Sequence, residues 1–168
     1  MKVACIIPSR YASTRLPGKP LRMIAGKTLV QRVYERAVLA KVPDTVIVAT
    51  DHGDIENEVK RFGGRVVMTS VDHPTGTDRL AEVAAHFPEY DIIVNVQGDE
   101  PLIDPDVIDR LAQDLLDHED LDMATVATPL KKEDYDDPSS VKVVVNRKDE
   151  ALYFSRSLIP YPRHDFSE

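Results

Sequence analysis

The sequence predicts a three-layer α/β fold with a mostly parallel sheet. Two observations carry this: short Val/Ile-rich runs alternate with longer segments of helical period, and 168 residues with 42% hydrophobic content suffice for one sizeable core. Strand followed by helix, repeated, implies right-handed βαβ crossovers.

The apolar runs Val3–Ile7, Thr45–Ala49, Arg65–Met68, Ile92–Val96, Met123–Ala127 and Val141–Val145 read as strands. Between them, Leu29–Leu39, Asp54–Phe62, Thr77–Phe87 and Val107–Leu116 read as helices. The last is the clearest, with Val107, Ile108, Leu111, Ala112, Leu115 and Leu116 on one face, Asp104 as N-cap and Pro105 in the first turn. No repeat, low-complexity tract or internal linker interrupts the pattern, so one domain is expected over 1–168. Ligands of such sheets bind outside the carboxyl ends of the strands. The loops that begin at Pro8, Asp51, Thr69 and Gln97 are therefore expected along one rim.

Charge is distributed unevenly. Residues 1–41 hold nine Lys/Arg and one acid, Glu35, so they carry +8 in a chain of net charge −8, which leaves −16 on the rest. An acidic remainder repels a long phosphate backbone, which argues against a nucleic-acid partner. A small polyanion delivered with a divalent cation fits better. The apolar run after Lys2 is short and cut by Pro8, so it is neither a signal peptide nor a membrane span; no membrane insertion and a cytoplasmic location are expected. The lone Cys5 excludes an internal disulfide and reads as a buried, inert thiol.

The first strand leads directly into Pro8-Ser9-Arg10-Tyr11-Ala12-Ser13-Thr14-Arg15-Leu16-Pro17-Gly18-Lys19-Pro20. Prolines fix the path of this loop, which lowers the entropy lost on gripping a flexible ligand. Arg10, Arg15 and Lys19 can converge on phosphate oxygens, with Ser13 and Thr14 as neutral donors. The dinucleotide fingerprint G-x-G-x-x-G is absent. Gly26-Lys27-Thr28 imitates the end of a Walker A loop, but the required first glycine falls on Leu21, so Gly26 reads as a turn before a helix near Thr28.

Two more stretches belong to the same rim. In Asn95-Val96-Gln97-Gly98-Asp99-Glu100-Pro101 an apolar strand ends in carboxylates, and Asp99 is the better Mg²⁺ ligand, since that ion takes one or two carboxylates plus phosphate oxygens and water. In Asp72-His73-Pro74-Thr75-Gly76-Thr77-Asp78-Arg79 a helix opens beside Gly76, where free amides favour an acceptor-rich ligand. The five histidines show no metal-ligand spacing.

Together these blocks, with Val48-Ala49-Thr50-Asp51, Gly76 to Glu82 and Ala151-Leu152-Tyr153-Phe154-Ser155-Arg156, resemble the 3-deoxy-D-manno-octulosonate (Kdo) cytidylyltransferases, which activate Kdo as CMP-Kdo for lipopolysaccharide assembly. The resemblance runs from Lys2 to about Pro162, with Ser9 where the family usually has Ala. It implies a Rossmann-like nucleotide-diphospho-sugar transferase fold whose C-terminal part is missing, corresponding to the N-terminal two-thirds of the family pattern. A late aspartate that serves as second metal ligand lies in the missing part. By resemblance, residues 1–130 form a nucleotide-binding core and 131–168 a sugar-site and dimer-contact region, with homodimers expected.

The implied roles are triphosphate binding and charge stabilisation by Arg10, Arg15 and Lys19, and Mg²⁺ binding by Asp99. Nucleotide contacts are implied for Pro8, Ser9, Ser13, Thr14, Asp72, His73, Gly76 and Arg79, and sugar contacts for Gln97 and Arg156. CMP-sialic acid synthetases share the fold, but typically carry Asn where Pro20 follows Lys19 here. Another ulosonic acid as substrate, and a non-catalytic, dimerising CTP-binding fragment, stay open as alternatives.

Overall fold

The computed structural model describes residues 1–12, 16–161 and 163, and its contacts divide the chain into two compact units, Met1–Ala124 and Thr125–Glu168. In chain order the first unit contains β1 (Val3–Ser9), β2 (Met23–Ile24), β3 (Lys27–Thr28), α1 (Leu29–Ala37), β4 (Thr45–Thr50), α2 (Gly53–Arg61), β5 (Val66–Met68), α3 (Gly76–His86), β6 (Ile92–Asn95) and α4 (Pro105–Asp117).

Four of these strands form a parallel sheet in the order β5-β4-β1-β6, so consecutive strands are joined by helical crossovers as expected. In register, Ala4 to Ser9 of β1 oppose Thr45 to Thr50 of β4, and Val3 to Ile6 oppose Ile92 to Asn95 of β6. Because β1 is central, its side chains are buried on both faces and alternate between two apolar layers. Val3, Cys5 and Ile7 pack with Val33 of α1, Ile55 of α2 and Ile108 of α4, whereas Ala4 and Ile6 pack with Leu80 and Val83 of α3. Those two sets of helices are the outer layers. Burial pushes the Cys5 thiol up to about 12, which makes it the inert group the sequence suggested.

Carboxylates fasten the other end of β1: Asp44 accepts from the Val3 N–H at 2.8 Å, and Asp91 from the Lys2 N–H at 2.7 Å. The start of α4 is as expected, with Asp104 capping the Asp106 N–H and Pro105 in the first turn. Ala25 and Gly26, both at positive φ, turn β2 into β3, and Thr28 then caps α1 by accepting from the Gln31 N–H.

Two strand expectations change. Met123–Ala127 forms no strand, and Met123 and Val126 are exposed, because an apolar run without a ladder partner has only propensity to hold it extended. Val141–Val145 does contain a strand, β7 (Lys142–Val145), but it pairs antiparallel with β8 (Ala151–Ser155) instead of extending the parallel sheet. Their turn is held by the Asn146 side chain, whose oxygen accepts from the Lys148 and Glu150 N–H groups. Among the described residues, no helix is long and apolar enough to cross a membrane.

Candidate nucleotide site

Where β1 and β6 end, their loops enclose an open cleft of about 360 Å³. It is lined by Pro8, Ser9, Arg10, Lys19, Gln97 and Asp99, together with Ala12, Pro20, Gly76 and Gly98. Of the expected site residues, Ser13, Thr14 and Arg15 lie outside the described residues.

The basic loop closes on itself near its end. Gly18 donates its N–H to the Tyr11 carbonyl at 3.0 Å and sits at φ 66°, a left-handed conformation that favours glycine, and a Cβ added there would meet the Tyr11 ring at 3.5 Å. This turn launches the 3₁₀ segment Lys19–Leu21 and presents Lys19 to the cleft. The Lys19 ammonium meets Asp99 Oδ2 at 2.6 Å, with both side chains substantially exposed at 39% and 52%. The two loops that the sequence assigned to opposite ligand charges are therefore joined by an ion pair. Arg10, also exposed, donates to the Pro74 carbonyl at 3.2 Å, which ties the basic loop to the turn before α3.

That turn is built by local bonds. Thr75 and Asp78 form a capping box, so α3 begins at Gly76, one residue earlier than the periodicity suggests. A Cβ on Gly76 would meet the Pro8 ring at 3.6 Å, an ordinary contact, whereas a Cβ on Gly98 would lie 2.5 Å from the Pro8 carbonyl oxygen. Gly98, which the site reading passed over, is thus the glycine the close approach requires. Asp72 is exposed and bonded to Ser70, and His73 bonds to Glu82. That bond, helped by the Ser70 N–H, holds the Glu82 carboxyl below its usual value of 4.5.

Arg79, expected among the nucleotide contacts, is fully buried. Its guanidinium donates to Asp51 Oδ2 at 2.8 Å and to the Thr69 hydroxyl. The physical reason is helix phase: Arg79 lies beside Leu80 on the face of α3 that covers the sheet, so its charge finds a buried partner. The other Asp51 oxygen accepts from the Tyr11 N–H at 3.2 Å, and the Tyr11 ring stacks on His52 with centroids 3.8 Å apart. Asp51 therefore links α3 to the base of the basic loop. The sequence placed Asp51 on the rim but carried no signal of its partners.

Gln97 is exposed and lines the cleft. Arg156 belongs to the second unit, where it donates to the Pro138 carbonyl at 2.6 Å. Among the described residues, no group of three or more His, Cys, Asp or Glu side chains could hold a metal ion by itself. A lone exposed Asp99 fits a hard cation that arrives with phosphate oxygens and keeps water.

A parallel sheet with a polar cleft at its carboxyl rim, bordered by a cation-bearing loop and an acidic one, is the architecture of an α/β ligand-binding domain, and the matches below make it a nucleotidyltransferase fold. Comparison with known proteins is specific: the family described as Cytidylyltransferase matches residues 4–168. The chain is 54% identical over 164 residues to the 3-deoxy-manno-octulosonate cytidylyltransferase of Syntrophotalea carbinolica, covering 97% of this chain and 65% of that protein. It is 52% identical to the protein of the same name from Fusobacterium nucleatum, covering 97% of this chain and 66% of the relative. The solved structure of CMP:2-keto-3-deoxy-manno-octonic acid synthetase complexed with CTP matches with a TM-score of 0.88 and 47% identity, covering 97% of this chain and 67% of that one. This chain belongs to the cytidylyltransferase family, and it spans about two thirds of the length of these relatives.

Proposed function

We propose that the chain carries the nucleotide-binding part of an enzyme that couples CTP to Kdo, giving CMP-Kdo and pyrophosphate for lipopolysaccharide biosynthesis. The observation that carries this reading is the exposed Lys19–Asp99 pair across one cleft, in a chain of this family. A nucleoside triphosphate with a divalent cation offers a better partner to each member: phosphate for the ammonium, metal for the carboxylate. Relatives named for the Kdo reaction support the choice of sugar.

In this reading the anomeric hydroxyl of Kdo attacks the α-phosphorus, a new C–O–P linkage forms, the bond to the β-phosphate oxygen breaks, and the hydroxyl proton is released. Positioning and charge stabilisation do most of the work. Arg10, Arg15 and Lys19 hold the triphosphate and offset charge growing on pyrophosphate. The backbone of Pro8, Ser9 and Arg10 and the turn from Asp72 to Gly76 face the nucleoside, while Arg79 acts through Asp51 and Thr69 to fix the loops. Gln97 contacts the sugar, and Arg156 offers a planar fork suited to a carboxylate. Asp99 would hold Mg²⁺, which when bound neutralises phosphate charge and makes the hydroxyl more acidic. A cytoplasmic location follows from the need for CTP. A homodimer contact through the 135–162 region is supported by the exposed Leu152, Tyr153 and Phe154 of β8.

The test is pyrophosphate release by the chain with CTP and Mg²⁺. Release with Kdo but not with sialic acid is expected. Turnover with sialic acid alone would overturn the sugar assignment, and CTP binding without turnover would leave a nucleotide-binding fragment.

A further inference from the structure

We infer that the hydroxyl of Ser9 is a specificity group: it hydrogen-bonds the nucleoside portion of the bound nucleotide at the floor of the cleft. The inference rests on the nucleotide reading above and adds to it a side-chain contact. Along β1, alternate residues Val3, Cys5 and Ile7 lie in one apolar layer, and Ser9 is next in that row. The row thus ends in a polar group where it leaves the core. Ser9 is 2% exposed, and its Oγ has no hydrogen-bond partner among the described residues.

A buried hydroxyl without a partner is costly, and protein interiors rarely leave one so. This one borders the cleft, and Gly98 stands against it: a Cβ there would lie 3.1 Å from Ser9 Oγ. With Gly76 and Gly98 both in the lining, backbone rather than bulky side chains borders the cleft beside Ser9, which suits a planar or ring-shaped group. The phosphate-binding cations, by contrast, are exposed or half-exposed at Arg10 and Lys19. Charged phosphate stays with those cations, since burying it beside one neutral hydroxyl would leave most of its charge unpaired. The nucleoside, apolar on its faces and polar on its edges, takes the buried end.

The experiment compares the unmodified chain with Ser9→Ala by calorimetric titration with CMP, CTP and inorganic tripolyphosphate. Alanine removes one oxygen and should fold unchanged, with a melting temperature in the absence of nucleotide equal to or slightly above the unmodified value. Expected is a roughly 3- to 10-fold weaker binding of both CMP and CTP, the range for one neutral hydrogen bond, with tripolyphosphate binding unaltered. Equal CMP affinity in the two proteins would overturn the inference while leaving the nucleotide reading standing. A loss confined to tripolyphosphate would assign the hydroxyl to phosphate and overturn it as well. Failure of the unmodified chain to bind CMP or CTP would overturn the nucleotide reading and the inference together.

Discussion

Two ion pairs on the carboxyl rim have nearly the same length and opposite surroundings. Lys19 and Asp99 meet at 2.6 Å with side chains 39% and 52% exposed; Arg79 and Asp51 meet at 2.8 Å with 0% and 9%. Water screens the first, so its net worth is about 0–1 kcal/mol and exchange of partners costs little. The second has shed its water, and removing either member strands a buried charge. Proximity alone does not mark a functional pair. The exposed pair is free to trade partners with a charged ligand, whereas the buried one fixes the loops on which that trade takes place.

The sharpest way to break this contrast is at the buried pair. Arg79→Ala should lower unfolding stability by about 3–5 kcal/mol, measured from urea midpoints, because Asp51 would lose its buried partner. A loss below 1 kcal/mol would place the two pairs in the same class. At the exposed pair the effects should be reversed. Lys19→Ala is expected to leave stability within about 1 kcal/mol of the unmodified chain and to reduce pyrophosphate release roughly 100-fold, the scale for losing one charge-stabilising donor. Normal turnover with a large stability loss would assign Lys19 to the scaffold.

Between these lies the floor of the cleft. Gly98→Ala should cost about 1–3 kcal/mol in urea midpoint, since its Cβ would meet the Pro8 carbonyl oxygen at 2.5 Å; Gly76→Ala, with only ordinary contacts, should cost less. The smallest effect is expected from pH. The bond from His73 depresses the Glu82 carboxyl, so its contribution is fully present above 4.5 and is lost as pH falls from there through the lower folded value. His73→Ala should therefore flatten the acid limb of the thermal stability profile below pH 4.5. An unchanged acid limb would remove this bond from the account.

Much of the first unit was legible because its signals are local. β1, β4, β5 and β6 are short apolar runs whose chemistry suits burial, and α4 announces its own start with Asp104-Pro105. Gly26 could be read as the turn before a helix near Thr28 without knowing what either packs against, whereas the cap that Thr28 supplies came only with the structure. Pairing between distant segments was not legible. β8 was missed because Ala151 to Phe154 are exposed and acquire strand geometry only from β7, across a charged turn with no glycine. The same limit applies in the site: the loop that bears Lys19 and the turn that bears Asp99 could be assigned from residue types. That Arg79 turns inward to Asp51 depends on the phase of α3 over the sheet, and Gly76 in sequence gave no hint of it.

The central claim is that Lys19 and Asp99 exchange each other for phosphate and a divalent cation. It is tested most directly by titrating CTP into the unmodified chain and into Asp99→Asn, each with and without Mg²⁺. The account predicts that Mg²⁺ tightens CTP binding to the unmodified chain and that Asp99→Asn removes this gain. An identical Mg²⁺ dependence in the two proteins would contradict it.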